Sequence, residues 1–260
     1  MPALAEFSIV SLIKNETINL PGAALLWAVA ARRGSLIVAS PPRLAGKSTL
    51  LHAALDLFPA DTAIVPIDGE RATFDFVGRT DPATTTLLVH EFSDHLVHYT
   101  WGEQAARVFA AATQGYSLGA TMHAATAQQV LHELAGPPNA IHPQRLGLLR
   151  LILTIAVRHS HPEPVRRVQT MTLVQPPLVP SKLPGLQSLA VLDNQTGELR
   201  LDWSPPSLAA LSARLGGGSD SLRNELEQRQ EFLADLLEHG MVNPSTVRDR
   251  TCGMSFDRGR

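Results

Sequence analysis

Four short runs of this chain carry apolar residues on consecutive positions: SLIVA (35–39), TAIVPI (62–67), TTTLLVHE (84–91) and SLGATMH (117–123). A strand of that kind offers apolar side chains to both sides of a sheet, so both sides need a cover. The cover is written between the runs. GAALLWAVAARR (22–33) reads as a helix ended by Gly34, and KSTLLHAALDLF (47–58) puts Leu50, Leu51, Ala54, Leu55 and Phe58 on one helical face. GEQAARVFAAATQG (102–115) and TAQQVLHELAG (126–136) are two more helices, the second stopped by Pro137 and Pro138. Buried strands alternating with helices predict an α/β fold, a mostly parallel sheet with helices on both faces.

After about residue 150 the pattern changes. LILTIAV (151–157), RVQTMTLV (167–174), SLAVLD (188–193) and ELRLDW (198–203) read as strands, and NQTG (194–197) as the turn of a hairpin. RLGGGSDS (214–221) reads as a flexible joint. SLRNELEQRQEFLADLLEHG (221–240) is a helix with a stripe of Leu222, Leu226, Leu233, Leu236 and Leu237. The last twenty residues carry little pattern and are expected to be loose. The expected organisation is a core over 1–160, a β-rich extension of the same domain over 161–213, and a joint with a C-terminal helical tail over 214–260.

The chain has 260 residues, 44% hydrophobic and 18% charged, which suffices for a sizeable core. A net charge of -2 and a pI near 6.5 give no electrostatic reason to expect a nucleic-acid partner. A single cysteine, Cys252, excludes an intrachain disulfide and fits a reducing compartment. The longest apolar stretches, 20–31 and 146–157, fall short of the ~20 residues a membrane helix needs, and Arg150 interrupts the second. The N-terminus lacks the basic and apolar regions of a secretory signal. The expectation is a cytoplasmic protein without direct membrane insertion, reaching the membrane only through a partner.

The loop between the first core strand and its helix is SPPRLAGKST (40–49). It ends as a phosphate-binding loop ends. Consecutive backbone N–H groups in such a loop point into one concavity, and the helix behind it adds its N-terminal dipole. The candidate phosphate-binding segment is Pro42, Arg43, Leu44, Ala45, Gly46, Lys47, Ser48 and Thr49. Lys47 would reach the β- and γ-phosphates, and the Ser48 hydroxyl would ligate Mg²⁺. Two positions depart from the usual pattern. Pro41 holds the place of the first glycine and has no N–H, and Leu44 stands where related loops often carry glycine. A left-handed backbone would cost Leu44 roughly 1–2 kcal/mol.

Hydrolysis of a bound nucleotide needs an acid at a strand end beside the loop. Glu91 ends TTTLLVHE, and Asp94 follows it. TAIVPI leads into Asp68 and Glu70, either of which would assist Ser48 at the metal. The carboxyl edge of an open α/β sheet is where ligands sit. His123 ends the fourth strand, placed to contact a γ-phosphate.

The order of these segments resembles the secretion-type traffic ATPases, which power type II secretion, type IV pili and type IV secretion. The segments that carry the resemblance are SPPRLAGKST (40–49), PIDGE (66–70), LLVHEFSD (87–94) and GYSLGATMHAATA (115–127), with RTDP (79–82) before the third strand. The match covers roughly residues 20–136. It implies a RecA-like core that binds ATP with Mg²⁺, Glu91 as the glutamate supporting hydrolysis, and His123 as a sensing histidine. It further implies a homo-oligomeric ring and a membrane-embedded secretion or pilus partner. His90 replaces the family's glycine before the glutamate, and Ser93 replaces the arginine before Asp94. Family members carry an N-terminal domain ahead of the core, where this chain has about twenty residues. These departures leave open a nucleotide-binding component that regulates or builds such an assembly without turnover.

Overall fold

The computed structural model describes residues 6–158 and 164–254. Strand β1 (Leu36–Ala39) is buried at every position, and its side chains divide between two cores. Leu36 and Val38 enter one, Ile37 and Ala39 the other, as the two-residue period of a strand requires. Helices α1 (Ile9–Lys14), α2 (Leu20–Ala30) and α3 (Lys47–Leu55) supply the first core. Helices α4 (Glu103–Ala112), α5 (Ala127–Ala135) and α6 (Pro143–Leu146) supply the second.

The other strands are β2 (Ala63–Ile67), β3 (Thr85–Phe92), β4 (Ser117–Met122), β5 (Leu151–Arg158), β6 (Val165–Gln175), β7 (Gly185–Leu192) and β8 (Leu199–Leu201). Among the described residues they form a single eight-stranded sheet in the order β2-β3-β4-β1-β5-β6-β7-β8. From β2 to β5 every neighbouring pair is parallel. From β5 to β8 every pair is antiparallel. The α/β architecture expected from the sequence is present, with the later strands continuing the same sheet. The expected boundary at 160/161 lies outside the described residues.

Several elements differ from expectation, and α1 and α6 were not anticipated. TAIVPI was expected as a buried strand, but β2 is an edge strand and Ala63 to Pro66 are partly or well exposed. An edge is where a proline is tolerated, since it has no N–H to give to a ladder. Helix α7 (Pro205–Leu215) was not anticipated. It leaves only Gly216 to Gly218 between itself and α8 (Ser219–Glu238). The tail expected to be loose contains α9 (Pro244–Cys252), whose Arg248 pairs with buried Asp56 at 3.2 Å.

Helix α8 packs along α2. The residues of its predicted stripe, Leu222, Leu226, Leu233 and Leu236, are buried, and Leu237 is partly so. An ionic cluster locks the two helices. Arg32 donates to both Glu225 carboxylate oxygens, at 2.9 and 2.7 Å, and Arg229 donates to Oε1 at 2.7 Å. Arg229 also lies over the Trp27 ring, 4.5 Å from its centroid.

Candidate functional site

Chain order puts the site together. Strand β1 runs into the loop, and β4 lies between β1 and β3. The carboxyl ends of β3 and β4 therefore deliver their residues beside the loop, within about two strand spacings, roughly 10 Å. Ser40, where β1 ends, is fully buried and donates from Oγ to the Ile155 carbonyl of β5 at 2.8 Å, which anchors the start of the loop.

Two residues give the loop its curvature. Leu44 has φ 58° and Gly46 has φ 85°. Leu44 thus adopts the left-handed backbone that its place in the loop demands. Its side chain is 88% exposed, so nothing packs against it in return. Arg166 of β6 compensates in part. Its Nε donates to the Leu44 carbonyl at 3.0 Å, and a Cβ at Gly46 would stand 3.2 Å from the Arg166 Cδ. Among the described residues no hydrogen bond ends on the N–H groups of Arg43, Leu44, Ala45 or Gly46. The first N–H groups of α3 are free of intrahelical partners by geometry. A run of unspent donors at a curved loop and a helix start is an anion cradle.

Lys47 is buried at the first position of α3. Its Nζ lies 3.5 Å from Glu91 Oε2 and 3.3 Å from His123 Nδ1. Glu91 Oε1 is 3.2 Å from His123 Nε2, and His123 Nδ1 is 3.0 Å from the Pro41 carbonyl. Burial pushes the Lys47 amine below the ordinary lysine value, and the Glu91 charge works against that shift. Glu91 reaches inward because the register of β3 against β4 shifts between Val89 and Phe92. An irregularity of this kind re-aims side chains. Here it leaves His90 exposed while Glu91 and Phe92 are both buried. His95 stacks on His123 with ring centroids 6.4 Å apart, and its Nδ1 is 2.9 Å from Ser93 Oγ.

These groups line a cleft of about 1050 Å³. Of the predicted loop residues, Arg43, Leu44, Ala45, Gly46, Lys47, Ser48 and Thr49 line it, as do Glu91 and His123. Pro42 does not. Asp68 and Glu70 are exposed on a short turn after β2, outside the cleft, and Asp68 faces Arg71 at 4.0 Å. That turn supports the site from behind. Gly69 fits so closely under the Val97 and Tyr99 carbonyls that a Cβ would stand 2.4 Å from the first. Among the described residues there is no cluster of three or more His, Cys, Asp or Glu able to hold a metal by themselves. The donor set present, the Ser48 hydroxyl and the Glu91 carboxylate beside an anion cradle, suits Mg²⁺ that arrives with phosphate oxygens, since that ion keeps waters and takes few protein ligands.

Sequence reasoning missed Arg166. It sits one residue before the strand read at 167–174, on a strand that returns antiparallel to the loop. Nothing local to VRRV signals that return.

No model of a known protein family matches this chain, and no curated protein matches it. Solved structures do. One is the VirB11 ATPase from the Brucella suis type IV secretion system in complex with sulphate, 16% identical at a TM-score of 0.40, covering 57% of this chain and 50% of that one. Another is the Legionella pneumophila ATPase DotB, 13% identical at a TM-score of 0.39, covering 86% of this chain and 61% of that one. The chain thus spans between half and about three-fifths of the length of these two proteins.

Proposed function

We propose that this protein binds Mg-ATP in the cleft and hydrolyses it, slowly or only with a partner. The observation that carries this reading is the Lys47–Glu91–His123 triangle at the mouth of a loop whose N–H groups are unspent. When bound, Mg-ATP supplies a phosphoanhydride whose terminal phosphoryl group is open to attack by water. The loop N–H groups and the Lys47 ammonium hold the phosphate oxygens and stabilise their charge. Ser48 and Glu91 are the side chains that would face the metal. Glu91 accepts the proton of the attacking water through a carboxylate oxygen, and His123, hydrogen-bonded to that carboxylate, registers whether Glu91 is turned to Lys47 or to the water.

The second reading is a nucleotide-binding component without turnover. Pro41 removes one donor from the cradle, and Lys47 is already held by Glu91 and His123, so it must give up those contacts to serve a phosphate. By resemblance, the assembly would be a homo-oligomeric ring on the cytoplasmic face of a type II, type IV pilus or type IV secretion system, attached through a membrane-embedded partner. No helix among the described residues is long and apolar enough to cross a membrane.

Titration with Mg-ATP, following binding and phosphate release together, tests the reading. Binding that is lost in Lys47→Ala, with release in the parent that falls in Glu91→Gln, supports the ATPase. Binding without release supports the second reading. Absence of binding removes both.

A further inference from the structure

The cleft, at about 1050 Å³, is larger than a phosphate chain requires, and sheet order gives its two sides different chemistry. Glu91 and His123 come from β3 and β4, on one side of β1. Arg166 and Arg167 come from β6, on the other side, and β6 begins at the same sheet edge because it runs antiparallel to β5. The terminal phosphate belongs with Glu91. The rest of the nucleotide must then leave the loop past Thr49, towards β6.

What waits there is the segment before the core. Phe7, Leu12, Asn15 and Thr17 line the cleft, and Glu16 and Thr17 meet Arg167 and Val168 of β6. Phe7 is 42% exposed and Leu12 is buried. Asn15 is exposed and Thr17 half-buried, and among the described residues neither the Asn15 side-chain amide nor the Thr17 hydroxyl makes a hydrogen bond. The segment is held in place from behind. Val168 N donates to the Thr17 carbonyl at 2.7 Å, and Arg167 pairs with Glu16 while donating to the Gly197 carbonyl at 2.6 Å. A braced wall that offers one aromatic face, an aliphatic floor and two unspent polar groups matches a flat heterocycle with apolar faces and a polar edge.

Resting on the nucleotide reading above, we propose that this side of the cleft is a nucleobase subsite, in which Phe7 stacks on the base and Asn15 hydrogen-bonds its edge. Residues 7–17 thereby become the part of the chain that distinguishes a nucleotide from a bare polyphosphate. The loop supplies grip on phosphate, and the wall supplies the preference for a nucleoside.

The test is calorimetric titration of the full chain with Mg-ATP and, as a probe without a base, Mg-tripolyphosphate. The parent is expected to bind ATP more tightly. Phe7→Ala and Asn15→Ala should each weaken ATP about tenfold and leave tripolyphosphate within about twofold, whereas Lys47→Ala weakens both. Phe7→Leu keeps the apolar contact and loses the stacking, so it guards against a variant that fails for lack of packing. Unfolding midpoints without ligand report whether each variant is intact. If ATP affinity is unchanged in Phe7→Ala, Phe7→Leu and Asn15→Ala but lost in Lys47→Ala, the base lies elsewhere and only the phosphate reading stands. Equal affinity of the parent for the two probes also overturns the subsite. A parent that binds neither overturns the nucleotide reading and the subsite with it.

Discussion

Leu44 shows two requirements in conflict at a single residue. The loop needs a left-handed backbone at this position, and the chain supplies a β-substituted residue with φ 58° whose side chain is 88% exposed. Strain of about 1–2 kcal/mol is offset by no packing. Glycine would relieve it, at an unfolded-state entropy cost of about 0.4–1 kcal/mol. Relief exceeds that cost, so Leu44→Gly should stabilise the protein by about 0.5–1 kcal/mol, read as a higher urea midpoint at unchanged slope. A lower midpoint would mean that the Leu44 side chain has a contact partner in solution. At Glu91 the expected effect is kinetic. Glu91→Gln keeps the shape and loses the proton acceptor, so phosphate release should fall at least about 100-fold with binding retained. Turnover that survives would identify another acid.

At the scale of single elements, α9 carries a measurable protection. Cys252 donates to the Phe58 carbonyl at 3.3 Å, and burial pushes its thiol above the ordinary value. Thiolate is the reactive form, so alkylation by iodoacetamide at neutral pH should be slow against a denatured control. Arg248 holds α9 to Asp56, and both partners are buried. Arg248→Ala should release the helix and speed alkylation severalfold, and an unchanged rate would show that α9 stays docked without the pair. Elements also differ in how readable they were. The helices α2, α3, α4, α5 and α8 and the eight strands were legible from period and punctuation. Helix α7 was signalled by Ser204 ahead of Pro205 and Pro206, a helix start that the strand-like ELRLDW before it masks. Exposure of β2 was legible in one residue alone, Pro66, which a central strand would not tolerate, because the rest of AIVPI is as apolar as a central strand.

For the whole molecule the decisive contact is α8 on α2. Helix α2 is buried at nearly every position, so it needs cover on the side away from the sheet. Helix α8 provides it, and the Arg32–Glu225–Arg229 cluster sets the register. Burial alone would raise the Glu225 carboxyl, but its hydrogen bonds to Arg32 and Arg229 win and hold it below the usual carboxylate range. A carboxylate depressed in the fold adds stability that is present above its unfolded value, about 4.5, and is lost as pH falls through its folded value. Glu225→Gln should therefore destabilise the protein at pH 7 by about 3–5 kcal/mol, because two guanidinium groups lose this carboxylate. The gap between parent and variant should narrow below about pH 4.5. Urea midpoints across pH 3 to 7 read both effects, and a constant gap would show that the cluster is not what titrates.

The sequence by itself determined the α/β class, the placing of the strands and most helices, and the identity of the loop, Lys47, Ser48, Glu91 and His123 as candidates. Period, punctuation and strand-end chemistry are local properties, so they can be read along the chain. Tertiary structure alone decided what stands next to what. It put β4 between β1 and β3, so that His123 links Lys47 to Glu91, and it left Asp68 and Glu70 outside the cleft on an edge-strand turn. It also brought Arg166 to the loop and residues 7–17 to the β6 side of the cleft. Those neighbours depend on strand order and on the antiparallel return of β6, which are properties of the closed sheet rather than of any stretch of the chain.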